Sequence, residues 1–158
     1  MDINIREAKM QDYETLCSIF EEGDEYHRQA LPHIFKKPDG SVRTKDFISS
    51  IISSKDEILF VAELNDTIIG VVLIGIRTAP YIDIMVPRRY AVIDNIVVLK
   101  VHRGKGVGKM LMKKAHEWIS SKDIKHIELH VWEFNQSAIK FYEKLGYTTA
   151  CHKMWKMP

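Results

Sequence analysis

The sequence is short of the features that would place it in several large classes of protein. It holds only two cysteines, Cys17 and Cys151, and their separation fits neither a metal-binding nor a CxxC pattern. We expect two free thiols, although a disulfide between them is an open alternative. The longest apolar run, residues 67–76, is too short to cross a bilayer, and the first residues lack the regions of a signal peptide. The sequence therefore predicts a soluble, cytoplasmic protein with no membrane partner.

An excess of charge of one sign is also missing. The 158 residues carry 23 lysines and arginines against 21 acids, a net charge of +2. A nucleic acid partner is not expected, because binding needs basic side chains concentrated on one surface. The one concentration, between Lys100 and Lys114, coincides with a glycine-rich turn and suits a small polyphosphate. His126 and His130 stand four apart on a predicted strand, where they do not converge, so no metal is expected.

Hydrophobic periodicity predicts an α/β protein with a single domain over residues 1–158. Strands are expected at residues 3–7, 58–64, 67–77, 90–99, 125–132 and 147–155. Helices are expected from Asp12 to a break at 21–23, and over residues 46–53, 107–120 and 135–145. Residues 24–43 and 78–89 lack a clear period and are predicted to be irregular. A parallel crossover at 90–132 and earlier hairpins indicate a mixed sheet with helices on both faces.

Residues 103–108, Arg-Gly-Lys-Gly-Val-Gly, form a turn between an apolar strand and an amphipathic helix. Glycines let backbone N–H groups approach a ligand, and a helix N-terminus adds positive potential, so this unit favours phosphate. It is not a Walker A loop, because Gly108-Lys109 is followed by Met110 rather than Ser or Thr. It is not the dinucleotide fingerprint either, since Lys109 occupies the last required position. The remaining pattern is R-G-x-G-x-G at the start of a helix.

That pattern resembles the acyl-CoA-binding signature of the GNAT superfamily of N-acetyltransferases, [RQ]xxGx[GA], which Arg103, Gly106 and Gly108 fill. A second stretch, residues 135–147, is similar to that superfamily's N-x-x-A-x-x-F-Y-E-K-x-G-F segment. The two stretches follow each other in the right order, with a helix and a strand between them. Lys100 is a departure, because the common pattern has a proline before the arginine. The resemblance implies a mixed, mostly antiparallel sheet of about six to seven strands, with a splayed parallel pair (acyl-CoA N-acyltransferase fold).

The resemblance also implies acetyl-CoA as the cofactor and a set of residues that hold it. Backbone amides of the turn would bind the pyrophosphate, the strand before it would offer backbone groups to the pantetheine arm, and the Val98 amide would polarise the thioester carbonyl. The residues implied in cofactor binding are Ile96, Val97, Val98, Arg103, Gly104, Lys105, Gly106, Val107, Gly108, Lys109, Asn135 and Tyr142. Tyr142 would also protonate the leaving thiolate. The alternative is that Tyr142 only fills the core, as a member of an apolar helical stripe.

Asp94 is the residue that we predict to act as general base for the amine. It alternates along the strand with Tyr90, Val92, Ile96 and Val98, and burial of its carboxylate would raise its pKa. Two alternatives stay open, an ion pair with Arg88 or Arg89 and a role in binding the ammonium only. The acceptor surface is expected in residues 24–37 and 78–89. The predicted substrate contacts are Glu25, Tyr26, His27, Tyr81 and Asp83.

These residues predict an acetyl-CoA-dependent N-acetyltransferase that moves an acetyl group directly to a primary amine of a small molecule or peptide. No GxSxG segment is present to suggest a serine nucleophile. Two other classes stay open at this point, a non-catalytic acyl-CoA-binding or sensor module and a nucleotide-binding oxidoreductase. By analogy with the superfamily, a homodimer is a further expectation.

Overall fold

The computed structural model describes residues 2–157, which form a five-stranded sheet with the strands in the order β1-β2-β3-β4-β5. The strands are β1 (Ile3–Glu7), β2 (Glu57–Leu64), β3 (Thr67–Thr78), β4 (Arg89–Val98) and β5 (Ile127–Leu129). The helices are α1 (Tyr13–Ala30), α2 (Lys45–Ile52), α3 (Val107–Ser121) and α4 (Gln136–Lys144). Neighbouring strands are antiparallel from β1 to β4, and β4 and β5 are parallel. None of the described helices is long and apolar enough to span a membrane.

The sheet separates two hydrophobic cores, which confirms the prediction of helices on both faces. Leu16, Ile19 and Phe20 of α1 pack with residues of α2 on one face. Leu111 and Met112 of α3 pack on the other, together with α4. Each helix turns one apolar stripe toward the sheet, as the 3-and-4 spacing of its residues requires.

The β2–β3 hairpin shows how closely local sequence controls this part of the fold. Asn65 and Asp66 connect the strands with φ angles of 49° and 60°. Both residue types tolerate the left-handed conformation better than most, and two such residues match the twist of a hairpin. The predicted hairpin therefore forms at the predicted turn.

Helix α1 and the sequence after α4 differ from the prediction. Helix α1 continues through the expected break at 21–23 to Ala30. Gly23 has no side chain, so the helix can lie directly against β4 at this point. A Cβ at Gly23 would approach Val97 Cγ2 to 2.9 Å. Residues 147–155 do not form a strand, so the sheet has five strands rather than six to seven. That segment contacts the residues after β5 through a side chain and not through strand pairing. The ring centroids of Trp155 and Trp132 are 5.6 Å apart.

A β-bulge interrupts the pairing of β3 with β4 at Asp94. Leu73 and Ile74, consecutive in β3, pair with Asn95 and Ile93, so Asp94 has no partner on β3. The extra residue reverses the alternation of side chains beyond it. Our expectation that Asp94 shares a face with positions 96 and 98 is therefore wrong. Asp94 lies on the α1 side of the sheet, whereas those two residues pack on the α3 side.

Candidate active site

The glycine turn presents a row of unused hydrogen-bond donors. Gly104 and Gly106 have φ angles of 73° and 85°, which glycine adopts without strain, and α3 begins at Val107. In the described chain, none of the N–H groups of residues 104–109 donates to a protein acceptor, and the first internal bond of α3 comes from Met110. Six consecutive amides at a helix N-terminus fit the pyrophosphate of a coenzyme A.

Gly108 serves a different purpose from the other two glycines of the turn. A Cβ at this position would lie 3.3 Å from Phe141 Cζ of α4 and 3.9 Å from Val98 Cγ2 of β4. Its missing side chain therefore lets α4 pack closely against the start of α3 and the end of β4. The close approach brings the helix that carries Tyr142 next to the turn.

Strands β4 and β5 separate on the way to the turn. Their pairing ends at Ile93 and Leu129, so no strand among residues 2–157 pairs with β4 on that side from Asp94 onward. The Leu99 N–H donates to Ile69 on β3 at 3.0 Å. Because successive amides of a strand point to opposite sides, the Val98 amide points away from β3 and into this gap. The gap thus offers the Val98 N–H directly before the row of amides.

Arginine and glutamate side chains hold the entrance to the gap. Arg103 Nε donates to the Val98 carbonyl at 2.8 Å, and its Nη2 lies 3.2 Å from Glu22 Oε1. The same Glu22 oxygen accepts from the Lys100 backbone N–H at 2.7 Å. Lys100, which replaces the common proline, therefore supplies a backbone donor that proline lacks. Glu22 was not predicted, and its position on α1 gave no signal in the sequence.

Tyr142 lies on α4, on the α3 side of the sheet, and is 9% exposed. Burial raises the pKa of its hydroxyl to about 12, so the group is protonated at neutral pH. The hydroxyl makes no hydrogen bond to another residue of the described chain. Asn135 caps α4 through an Oδ1 that accepts from the Ala138 N–H at 3.2 Å. This cap fixes the helix that carries Tyr142.

Asp94 is held by Arg77, an arginine that was not predicted. Arg77 Nη2 donates to Asp94 Oδ2 at 2.9 Å and lies 3.5 Å from Glu57 Oε1. The side chain of Asp94 is 28% exposed, and burial raises the pKa of its carboxyl although Arg77 and His130 act in the opposite direction. The two arginines offered as alternative partners bind other acids: Arg88 binds Glu128 and Arg89 binds Asp56.

The predicted acceptor residues fall into two groups. Tyr26 and His27 lie near the gap, where both rings are 5.6 Å from the ring of Phe134. Glu25 is on the same helix but is bound to Arg28. Tyr81 and Asp83 lie on the exposed loop between β3 and β4, where Tyr81 is 82% exposed, and the structure joins neither to the other site residues. Phe35, Trp132 and Phe134 were missed, although aromatic residues at 132 and 134 directly before the motif at Asn135 were a usable signal.

The structure therefore places Asp94 where β4 and β5 part and the glycine turn at the far end of the gap, and α4, which carries Tyr142, packs against that turn through Phe141. A separate cavity of about 290 Å³ is lined by residues of α2, β2 and the end of α3 including Trp118, and Glu57, which contacts Arg77, also lines it. No residue of the predicted site lines that cavity.

Comparison with known proteins identifies the class to which this fold and site belong. The model of the acetyltransferase (GNAT) family matches residues 14–147, and the chain belongs to that family. An uncharacterized N-acetyltransferase of Bacillus subtilis, YhfO, is 23% identical over 145 residues, which are 92% of this chain and 89% of that protein. Membership confirms the predicted family, an N-acetyltransferase activity and coenzyme A as the cofactor.

Solved structures agree on the fold. A point mutant of the BH1408 protein from Bacillus halodurans superposes with a TM-score of 0.90, at 24% identity over 98% of both chains. An aminoglycoside N-acetyltransferase, AAC(6')-Iy, in complex with CoA superposes with a TM-score of 0.72, at 17% identity over 99% of this chain and 95% of that one. These likenesses concern the arrangement of strands and helices.

Proposed function

We propose that the protein transfers the acetyl group of acetyl-CoA directly to a primary amine. The observation that carries this proposal is the row of six free amides at residues 104–109, which continues the free edge of β4. Together they form a track of backbone donors long enough for a pyrophosphate and an extended arm. The turn binds the charged end and the gap binds the reactive end.

Three groups of the chain act on the reacting atoms. Bound acetyl-CoA supplies an activated acetyl thioester. The Val98 N–H donates to the thioester oxygen and stabilises the negative charge that develops there. Asp94 accepts a proton from the ammonium of the acceptor, directly or through water, and frees the nitrogen for attack. Tyr142 would give its hydroxyl proton to the departing sulfur as the C–S bond breaks, and the second proton that the nitrogen loses on becoming an amide would return to the Tyr142 oxygen, directly or through water.

Tyr142 and Asp94 lie on opposite faces of the sheet, and the gap between β4 and β5 connects the two faces. An acceptor that enters from the α1 side meets Asp94 first, while the leaving sulfur is on the side of Tyr142. This separation suits direct transfer, because the acid and the base act on different atoms and need not exchange places.

The test is a screen of free thiol released from acetyl-CoA with a panel of primary amines and peptides, on the wild type and on Tyr142→Phe. We expect turnover with at least one amine, and a loss of kcat of roughly 100-fold or more in the variant, with unchanged affinity for CoA. The variant should fold, since the hydroxyl has no protein partner in the described chain. Tyr147→Phe is the matched control, because its hydroxyl binds His116 at 2.8 Å instead.

Tight binding of acetyl-CoA without thiol release from any amine would contradict the transferase proposal. It would favour a sensor that uses the same turn. We further propose a cytoplasmic homodimer, supported by the two free cysteines and by the exposed apolar loop between β3 and β4. Sedimentation of the full chain at several concentrations measures the assembly state.

A further inference from the structure

Six aromatic rings close the α1 side of the strand gap. We call them the ring cluster, and its members are Tyr26, His27, Phe35, Trp132, Phe134 and Trp155. Adjacent rings lie 5.4–6.0 Å apart between centroids and are mostly edge to face. Tyr26 is 39% exposed and Trp155 is 52% exposed, so the cluster has an open surface. Ring faces of this kind attract apolar bodies and single cations.

The ring cluster lies along the strand gap, on the side that α1 covers. Gly23 of α1 packs on Val97 of β4, and one turn later Tyr26 and His27 reach Phe134 beyond the end of β5. Helix α1 therefore crosses the gap, and the rings form its far border. Asn135, which directly follows Phe134, caps the helix of Tyr142, so the ring cluster leads directly into the helix that carries the proposed acid.

Acidic side chains near the ring cluster are almost all in contact with an arginine. Every acid of residues 21–25 has such a partner: Glu21 and Glu25 pair with Arg28, Asp24 with Arg43, and Glu22 with Arg103. Asp94 and Glu57 share Arg77 in the same way. Glu133 lies between Trp132 and Phe134 in the sequence. Its carboxylate contacts only the Gln136 amide in the described chain.

A polycationic acceptor would need several free carboxylates, because each ammonium that it buries must be paired. The surface around the gap offers rings and one carboxylate without a cationic partner. We propose that the acceptor is an arylalkylamine, a single primary ammonium on an aromatic body, and not a polyamine or an aminoglycoside. The rings bind the body, and the net negative charge that Asp94 and Glu57 keep beside the single guanidinium of Arg77 receives its one ammonium. This inference rests on the proposed acetyl transfer for its turnover readout, and its binding readout is independent of it.

The turnover experiment compares 2-phenylethylamine and tryptamine with spermidine and sisomicin, each with acetyl-CoA and the full chain. We expect kcat/KM to be at least about tenfold higher for the two arylalkylamines, the size of one well-formed aromatic contact. Phe134→Leu should lower kcat/KM for 2-phenylethylamine by about tenfold and leave CoA affinity unchanged. Trp118→Phe is the control, because Trp118 lines the separate cavity.

The binding experiment uses the Trp118→Phe background. The chain has three tryptophans, so only Trp132 and Trp155 of the ring cluster remain. With CoA bound, 2-phenylethylamine should change their fluorescence saturably, whereas spermidine should not.

The outcomes separate the two proposals. Equal or better kcat/KM for the polycations, or no fluorescence change with 2-phenylethylamine, would overturn the assignment of the acceptor. A saturable fluorescence change with no thiol release from any amine would uphold the binding class and overturn acetyl transfer.

Discussion

At the scale of single residues, Gly75 affects the ionisation of Asp94. It does so through Arg77, which lies two residues after Gly75 and binds the Asp94 carboxylate. Arg77 and Glu57 lie beside Asp94, and His130 faces it from the segment after β5. A Cβ at Gly75 would overlap the guanidinium of Arg77. Gly75 therefore provides the space in which Arg77 reaches both carboxylates. Burial raises the pKa of Asp94, and the positive charge of Arg77 limits the rise.

Gly75→Ala should displace Arg77 without removing its charge from the protein. The pKa of Asp94 would then rise further, because burial would act with less opposition. Since only the carboxylate accepts a proton, activity is lost as the pH falls through this pKa. We expect the acidic limb of kcat/KM to move to higher pH in both Gly75→Ala and Arg77→Gln. Steady-state rates from pH 4 to pH 9 measure the shift.

Gly40→Ala is the control for this pair, because a Cβ at Gly40 meets nothing within 4 Å. Asp94→Asn should remove the acidic limb together with most of the activity. An unchanged limb in both Gly75→Ala and Arg77→Gln would show that Asp94 is not the group that titrates. Burial raises the pKa of Tyr142 to about 12, so Tyr142 adds no alkaline limb in this range.

At the scale of elements, the turn before α3 has to meet two requirements. Its glycines take up left-handed backbone conformations, and its backbone N–H groups stay free to bind a ligand. Gly106→Ala forces a side chain onto a φ of 85° and should cost roughly 1 kcal/mol of stability. The distortion also redirects the amides that follow. We expect the Kd for CoA to rise about tenfold or more, the loss of one hydrogen bond to a charged group. Calorimetric titration with CoA and thermal unfolding measure the two effects.

Gly146→Ala is a matched comparison, because Gly146 has a similar φ of 90° but follows α4 rather than the turn. It should lose a similar amount of stability and keep its affinity for CoA. Equal weakening of CoA binding in both variants would mean that strain alone, and not the direction of the turn amides, accounts for the effect.

Local patterns in the sequence were enough to predict the hairpin at Asn65 and Asp66, the glycine turn and the helices that follow it. These local patterns could not predict features that depend on how one element pairs with or packs against a strand distant in the sequence. The bulge at Asp94 arises from the register of β4 against β3, which alternation along one strand cannot show. The continuous α1 has the same origin, since Gly23 is tolerated because Val97 packs against it. Arg77 was missed for this reason too, as its acids lie on β2 and β4.

At the scale of the whole molecule, the first strand, the start of α1 and β2 are joined by one arginine. Arg6 Nη1 and Nη2 bind the two oxygens of Asp12 at 2.8 and 3.0 Å, and Nη2 also binds Glu63 of β2 at 2.7 Å. The Lys9 N–H donates to Asp12 at 2.8 Å. The side chain of Asp12 is 11% exposed. This group attaches the edge of the sheet to the helix that later crosses the active-site gap.

Asp12→Asn should lower the free energy of unfolding at neutral pH by roughly 1–3 kcal/mol, because a charge-assisted pair becomes a weaker neutral one. Arg6 holds the pKa of Asp12 below its ordinary value, so the folded state binds this proton less tightly than the unfolded state. The stabilisation is therefore complete above the ordinary pKa of 3.8 and is lost as the pH falls through the lowered one. Urea unfolding of wild type and variant at pH 7 and at acidic pH should show the difference shrinking toward zero. Asp39→Asn, in an exposed segment, should leave stability unchanged at both values. A difference between wild type and Asp12→Asn that is the same at neutral and acidic pH would mean that packing, and not the charge on Asp12, connects β1 to α1.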